Sequence, residues 1–343
     1  MLIRILTSIA LVATTTSLLA SPEVPGAKQT HPIALVGGTI HTVSGKTLAN
    51  ATLLFDDGKI TAVGTGFDLP KNCEVIAIKG KHVFPGMFDA YTNMGLVEIN
   101  AVRASKDENE TGTFNPNVRA EVAVNPDSEI IPTTRSNGVL LCLAAPSGGN
   151  VSGRSAVLQL DGWTYEDLTI RSAAGLHINW PLMAVVSDWW VTDSAKEQIA
   201  SREKSLANLE EQFATARLYD KARRDNPDTL VDIKWESMRA VLAGEVPIIV
   251  NADNANQIQS AVAFAVRQKV KLIINGGYDA IYCADLLKKY NVPVILRGVY
   301  RTPKRSDDFY DLPYEIPAML NRLGIQFCIS SDGRFGASMS RNL

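Results

Sequence analysis

Apolar positions change their spacing partway along the chain. From His31 to Phe84 they form short β-prone runs: Ile33 to Val43, Ala51 to Phe55, Lys59 to Val63, Glu74 to Ile78 and His82 to Phe84. Breaks at Gly37-Gly38, Asp57-Gly58, Gly64-Thr65-Gly66 and Lys79-Gly80 separate them. Asp57-Gly58 tolerates the positive φ of a tight hairpin turn, so a small β-sandwich is expected over residues 31–82. From Val83 the pattern becomes apolar strands with intervening amphipathic segments. The candidate strands are Val83 to Ala90, Val139 to Ala145, Gly175 to Asn179, Leu182 to Val186, Val246 to Asn251, Lys271 to Asn275, Val292 to Leu296 and Ile325 to Ser330. Helices are expected at Asn254 to Arg267, Asp279 to Tyr290 and Tyr314 to Leu323. Wholly apolar strands alternating with helices imply parallel strands covered on both faces. Eight of them suit a (β/α)8 TIM-type barrel, an α/β fold whose site lies at the C-terminal strand ends.

Two stretches depart from that rhythm. Ser194 to Arg224 is highly charged, but Ile199, Leu206, Leu209, Phe213 and Ala216 recur at helical spacing, which predicts a long helix docked by one face. Arg103 to Ser128, rich in Asp, Glu, Asn and Pro, reads as a long loop near the first barrel strand. Ahead of both, Arg4 precedes an apolar stretch from Ile5 to Leu19 and a small-residue exit at Ala20-Ser21. This is the pattern of a secretory signal peptide over residues 1–20, and it implies a periplasmic or extracellular protein with no membrane span in the mature chain.

Composition narrows the chemistry. The 343 residues hold 34 Lys+Arg against 36 Asp+Glu, a balance that argues against a nucleic-acid binder. The four cysteines (Cys73, Cys142, Cys283 and Cys328) are widely spaced and form no C-x-x-C; Cys142 and Cys328 lie in apolar runs and are expected to be buried thiols. Only four histidines are present, His31, His41, His82 and His177, so a metal site built on imidazole has little to draw on. Gly148-Gly149-Asn150-Val151-Ser152-Gly153-Arg154-Ser155 approaches P-loop spacing, but a strand and turn follow where a helix is required.

The segments Val36-Gly37-Gly38-Thr39-Ile40, Asp57-Gly58-Lys59-Ile60 and Val83-Phe84-Pro85-Gly86-Met87-Phe88-Asp89-Ala90 resemble the entry of imidazolonepropionase-like proteins of the amidohydrolase superfamily. The resemblance runs on through Ser136-Asn137-Gly138-Val139 and Ala145-Pro146-Ser147-Gly148-Gly149 to Ser331-Asp332. It implies a small β-sandwich leading into a metal-dependent hydrolase barrel, here over residues 83–343. The family places His-x-His after the Pro-Gly-x-x-Asp-Ala element, where this chain has Tyr91 and Asn93. Its next two histidines correspond to Asn251 and to Asn275 or Gly276, and only the acid after the eighth strand, Asp332, matches.

Asn and Tyr are weak ligands for zinc, and without a metal water is not acidified. The resemblance therefore implies an exported amidohydrolase-like protein with no confident cofactor. Tyr91, Asn93, Asn251, Asn275 and His177 would surround Asp332 at the barrel mouth and bind a polar small molecule such as a peptide or sugar fragment. The alternative is an active hydrolase of non-peptide or cyclic amide C–N bonds, with Asp332 as catalytic acid–base and zinc or another divalent metal held in an unorthodox way. His177 is expected to be an ordinary, hydrogen-bonded core histidine. Family members continue through a further helix and sandwich strands after the eighth strand, so the ending at Leu343 is expected to be that of a C-terminally incomplete fragment.

Overall fold

The computed structural model describes residues 24–332, so the expected signal peptide and the chain after Asp332 lie outside the described residues. The first five strands are β1 (Ile33–His41), β2 (Thr47–Asp56), β3 (Lys59–Gly64), β4 (Glu74–Ala77) and β5 (His82–Val83). The turn between β2 and β3 places Asp57 at φ 47° and Gly58 at φ 69°, the conformation that the Asp-Gly pair was expected to supply. These strands form one sheet in the order β3-β2-β1-β4, with β5 also paired to β1. Among the described residues this is one small sheet, the coarser form of the expected sandwich. Ala34, Ile40, Ala51, Leu54 and Ile78 are its buried side chains.

Eight further strands make the second sheet: β6 (Met87–Thr92), β7 (Val139–Ala144), β8 (Val151–Gln159), β9 (Thr169–Asn179), β10 (Ile248–Ala252), β11 (Leu272–Gly276), β12 (Val294–Arg297) and β13 (Phe327–Ser330). They are ordered consecutively from β6 to β13. All run parallel except β8, which is antiparallel to both β7 and β9. The regular (β/α)8 expectation thus holds only in its coarser form, a mixed α/β barrel sheet with few helices. Short connections replace a full helical crossover around β8, residues 145–150 before it and 160–168 after it, the second with one helical turn at Tyr165–Leu168. Antiparallel neighbours permit this. Gly153 on β8 is required where it stands: its φ is +139°, and a Cβ there would lie 2.9 Å from Val118 Cβ.

Leu182 to Val186, expected as a strand, is irregular and half exposed. The long helix satisfies its backbone instead. Gln198 accepts from the Val186 N–H (2.9 Å) and donates to the Val186 carbonyl (2.9 Å), while Arg202 donates to the Met183 carbonyl (2.8 Å). That helix, Ala195–Asp225, starts at a Ser194 cap in which Ser194 and Glu197 cap each other's backbone N–H. Leu209, Phe213 and Ala216 are fully buried, as the stripe predicts, with Phe213 edge-on to Phe264 at 5.1 Å. Helices Ile233–Leu242, Ala255–Gln268, Ala284–Lys289 and Leu312–Arg322 cover the later strands. The main core joins them to β9–β12 through Leu176, Ile248, Ile258, Val294 and Ile316. Arg103 to Ser128 is irregular apart from short 3-10 turns at Arg103–Ser105 and Ala120–Ala123. Cys142 is buried and its thiol pushed up by that burial, whereas Cys328 is exposed, correcting its expected burial; β13 is the end strand of the sheet.

Candidate site at the barrel mouth

The end strands β6 and β13 meet without a backbone ladder. Asp89, from the Pro-Gly-x-x-Asp-Ala element, bridges them. Its carboxylate accepts the Ser331 N–H at 2.9 Å and the Ser331 hydroxyl on its other oxygen. Asp89 is fully buried, and burial pushes its pKa up although both Ser331 hydrogen bonds pull the other way. The bridge brings Ser331 and Asp332 beside the first barrel strand.

Parallel pairing sets Asn179, Asn251 and Asn275 in register at the ends of β9, β10 and β11. Their side chains form a directed ladder. Asn275 donates to Asn251 (2.6 Å), Asn251 donates to Asn179 (2.6 Å), and Asn179 donates to the Gly149 carbonyl (2.8 Å). The ladder ends at Asn275 Oδ1, which is buried and has no hydrogen-bond partner among the described residues. Two residues deeper, His177 is in register with Ile249. His177 is fully buried, and burial pushes its pKa down to about 3, so the ring is neutral. Neither ring nitrogen finds a partner among the described residues, which departs from the expected hydrogen-bonded core histidine.

Across the mouth, Tyr91 packs its ring 5.9 Å from His177 and 5.7 Å from the guanidinium carbon of Arg297. Burial pushes the Tyr91 hydroxyl up, with Asp332 and Glu108 adding to the effect and Arg297 opposing it. Arg297, at the end of β12, lies between two carboxylates. Its Nη2 donates to Asp253 (3.3 Å), and its Nε is 3.4 Å from Asp332. Burial opposes its charge, but Asp253 and Asp332 outweigh that and raise its pKa. Lys304 also donates to Asp253. Burial would raise the Asp253 carboxyl, yet Lys304, Arg297 and Arg301 together hold it below its usual range. Asn93 sits apart from the amide ladder and donates to Glu108 at 3.3 Å.

The structure therefore puts Tyr91 and Asp332 beside Arg297, packs His177 against Tyr91, joins Asn251 to Asn275, and turns Asn93 toward Glu108. Sequence reasoning missed Asn179, Asp253, Arg297 and Lys304. Asn179 had a usable signal, because it closes an apolar strand as Asn251 and Asn275 do.

These donors do not fit a divalent metal. Asn251 uses both ends of its amide within the ladder, and Asp253 and Asp332 already face Arg297. Among the described residues, no group of three or more His, Cys, Asp or Glu side chains is placed to hold a metal ion.

The small N-terminal sheet followed by an eight-stranded, nearly closed barrel sheet is also the fold of a solved amidohydrolase. The chain superposes on an amidohydrolase from Thermotoga maritima MSB8 with a TM-score of 0.75 at 23% identity, covering 88% of this chain and 78% of that one. A second solved structure, of an uncharacterized protein, gives a TM-score of 0.50 at 16% identity over 90% and 80% of the two chains. No family model matches the chain, and no curated protein matches it.

Proposed function

We propose that this is an exported protein of the amidohydrolase superfamily whose barrel mouth binds a polar small molecule, with metal-dependent hydrolysis lost or altered. The observation that carries the reading is the amide ladder ending in a bare, buried Asn275 Oδ1, together with a neutral His177 on β9 that has two bare ring nitrogens. Unpaired buried polar atoms cost roughly 1–3 kcal/mol each, so a guest that supplies their partners is held there. Asn275 asks for an N–H or O–H donor, and neutral His177 offers one donor and one acceptor. Among the described residues no helix is long and apolar enough to cross a membrane.

Isothermal titration with simple dipeptides and monosaccharides tests the proposal, run on the wild type and on Asn275→Leu. Saturable binding to the wild type that the substitution weakens at least tenfold is expected. Binding that Asn275→Leu leaves unchanged, or no binding by any probe, counts against the mouth as the site.

A further inference from the structure

We propose that Arg297 is the resident cation of the barrel mouth, and that it keeps divalent metals out by occupying the two carboxylates that would otherwise bind them. Three independent contacts fix the guanidinium: Asp253 Oδ2 at 3.3 Å, Asp332 Oδ1 at 3.4 Å and the Tyr91 ring at 5.7 Å. The carboxylates come from different strand ends, one after β10 and one after β13, so the guanidinium joins two walls of the mouth. A planar fork suits this role, since one group presents several donors in fixed directions. Lys304 supplies the second positive charge, on Asp253. Asp253 and Asp332 are thus balanced by Arg297 and Lys304, leaving no net charge among the four.

That balance has a consequence for guests. A hard divalent cation binds through carboxylate and carbonyl oxygens, and it would have to displace a half-buried guanidinium paired to both carboxylates to reach these. The amide oxygen of Asn251 is already taken by Asn275, and the one bare oxygen, Asn275 Oδ1, offers too little in exchange. Cationic guests are excluded for the same reason. The inference concerns the carboxylate pair and stands whether or not the amide ladder binds a polar molecule.

The test is a thermal melt and calorimetric titration with Mn²⁺ at neutral pH. Wild-type protein is expected to show no saturable Mn²⁺ binding and no change in melting temperature with Mn²⁺ or a chelator. Arg297→Met exposes the two carboxylates to each other; it should melt lower than wild type and regain at least about 3 °C with millimolar Mn²⁺. Arg297→Met combined with Asp332→Asn should lose that gain. Arg297→Lys keeps the charge and should gain nothing, and Arg297→Gln serves in place of the Met variant if that one does not fold. Stoichiometric Mn²⁺ binding by the wild type, Mn²⁺ binding by Arg297→Lys, or a folded Met or Gln variant without a metal-dependent gain overturns the proposal.

Discussion

Replacing Asp89 by Ala removes the carboxylate that joins the two end strands of the barrel sheet. Two hydrogen bonds to Ser331 disappear, one to its backbone N–H at 2.9 Å and one to its hydroxyl. Hydrogen bonds to a charged group contribute about 1.5–3 kcal/mol each, which sets a gross loss of roughly 3–6 kcal/mol. Part of this is returned, because the carboxylate is fully buried and its raised pKa records a desolvation cost. A net loss of about 2–4 kcal/mol is expected. Asp89→Asn keeps an acceptor for the Ser331 N–H and sheds the buried charge, so it should stay within about 1 kcal/mol of wild type. Urea unfolding followed by circular dichroism and by tryptophan fluorescence measures both values, provided the two probes give coincident transitions. An Ala variant that loses less than about 1 kcal/mol would refute the reasoning, as would an Asn variant as unstable as Ala.

His177 makes stability depend on acidity. Its folded pKa of about 3 lies below the ordinary 6.5, so its contribution is complete above pH 6.5 and is lost as pH falls toward 3. The slope is about 1.4 kcal/mol per pH unit, or roughly 2 kcal/mol between pH 6.5 and 5. On acidification the wild type should therefore lose that much urea stability relative to His177→Leu; parallel curves would show that the ring is protonated in the fold. Asn251→Ala cuts both 2.6 Å bonds of the ladder and should cost about 2–4 kcal/mol in the same melts. Phe213→Ala empties a fully buried site against Phe264 and should cost about 3–5 kcal/mol; a loss below 1 kcal/mol would mean that the long helix is not docked by that face.

Local chemistry explains what the sequence revealed. Residues 246–330 hold apolar strands and helices whose periods differ plainly, and the observed elements fall within a few residues of expectation. The long helix was legible because only one orientation buries Leu209, Phe213 and Ala216 together. Strand β8 was legible only in its second half, where the sequence reads as a strand after Ser155; Ser152, Gly153, Arg154 and Ser155 interrupt any apolar run, and burial comes to them from the 112–124 loop and the neighbouring strands. Leu182 to Val186 misled in the opposite sense: an apolar composition was read as a strand, while distant helix side chains occupy its backbone groups. At the site, the polar substitutions at Tyr91, Asn251 and Asn275 were visible. Arg297 was not, because its meaning depends on Asp253, 44 residues earlier, and on Asp332 beyond another helix.

The Asp89–Ser331 link spans 242 positions of chain, whereas β8 turns back directly on β7 and β9. Closing so long a loop costs chain entropy before any contact repays it, so the order of events during folding follows from this topology. The β7–β8–β9 meander is expected to form early from neighbours in sequence, with the parallel strands added after it and the sheet closed last. Interactions made after the rate-limiting step change the escape rate from the native state and leave its formation rate alone. Stopped-flow measurements on Asp89→Ala should accordingly show faster unfolding with an unchanged refolding limb, and slower refolding would place the seam in the folding nucleus.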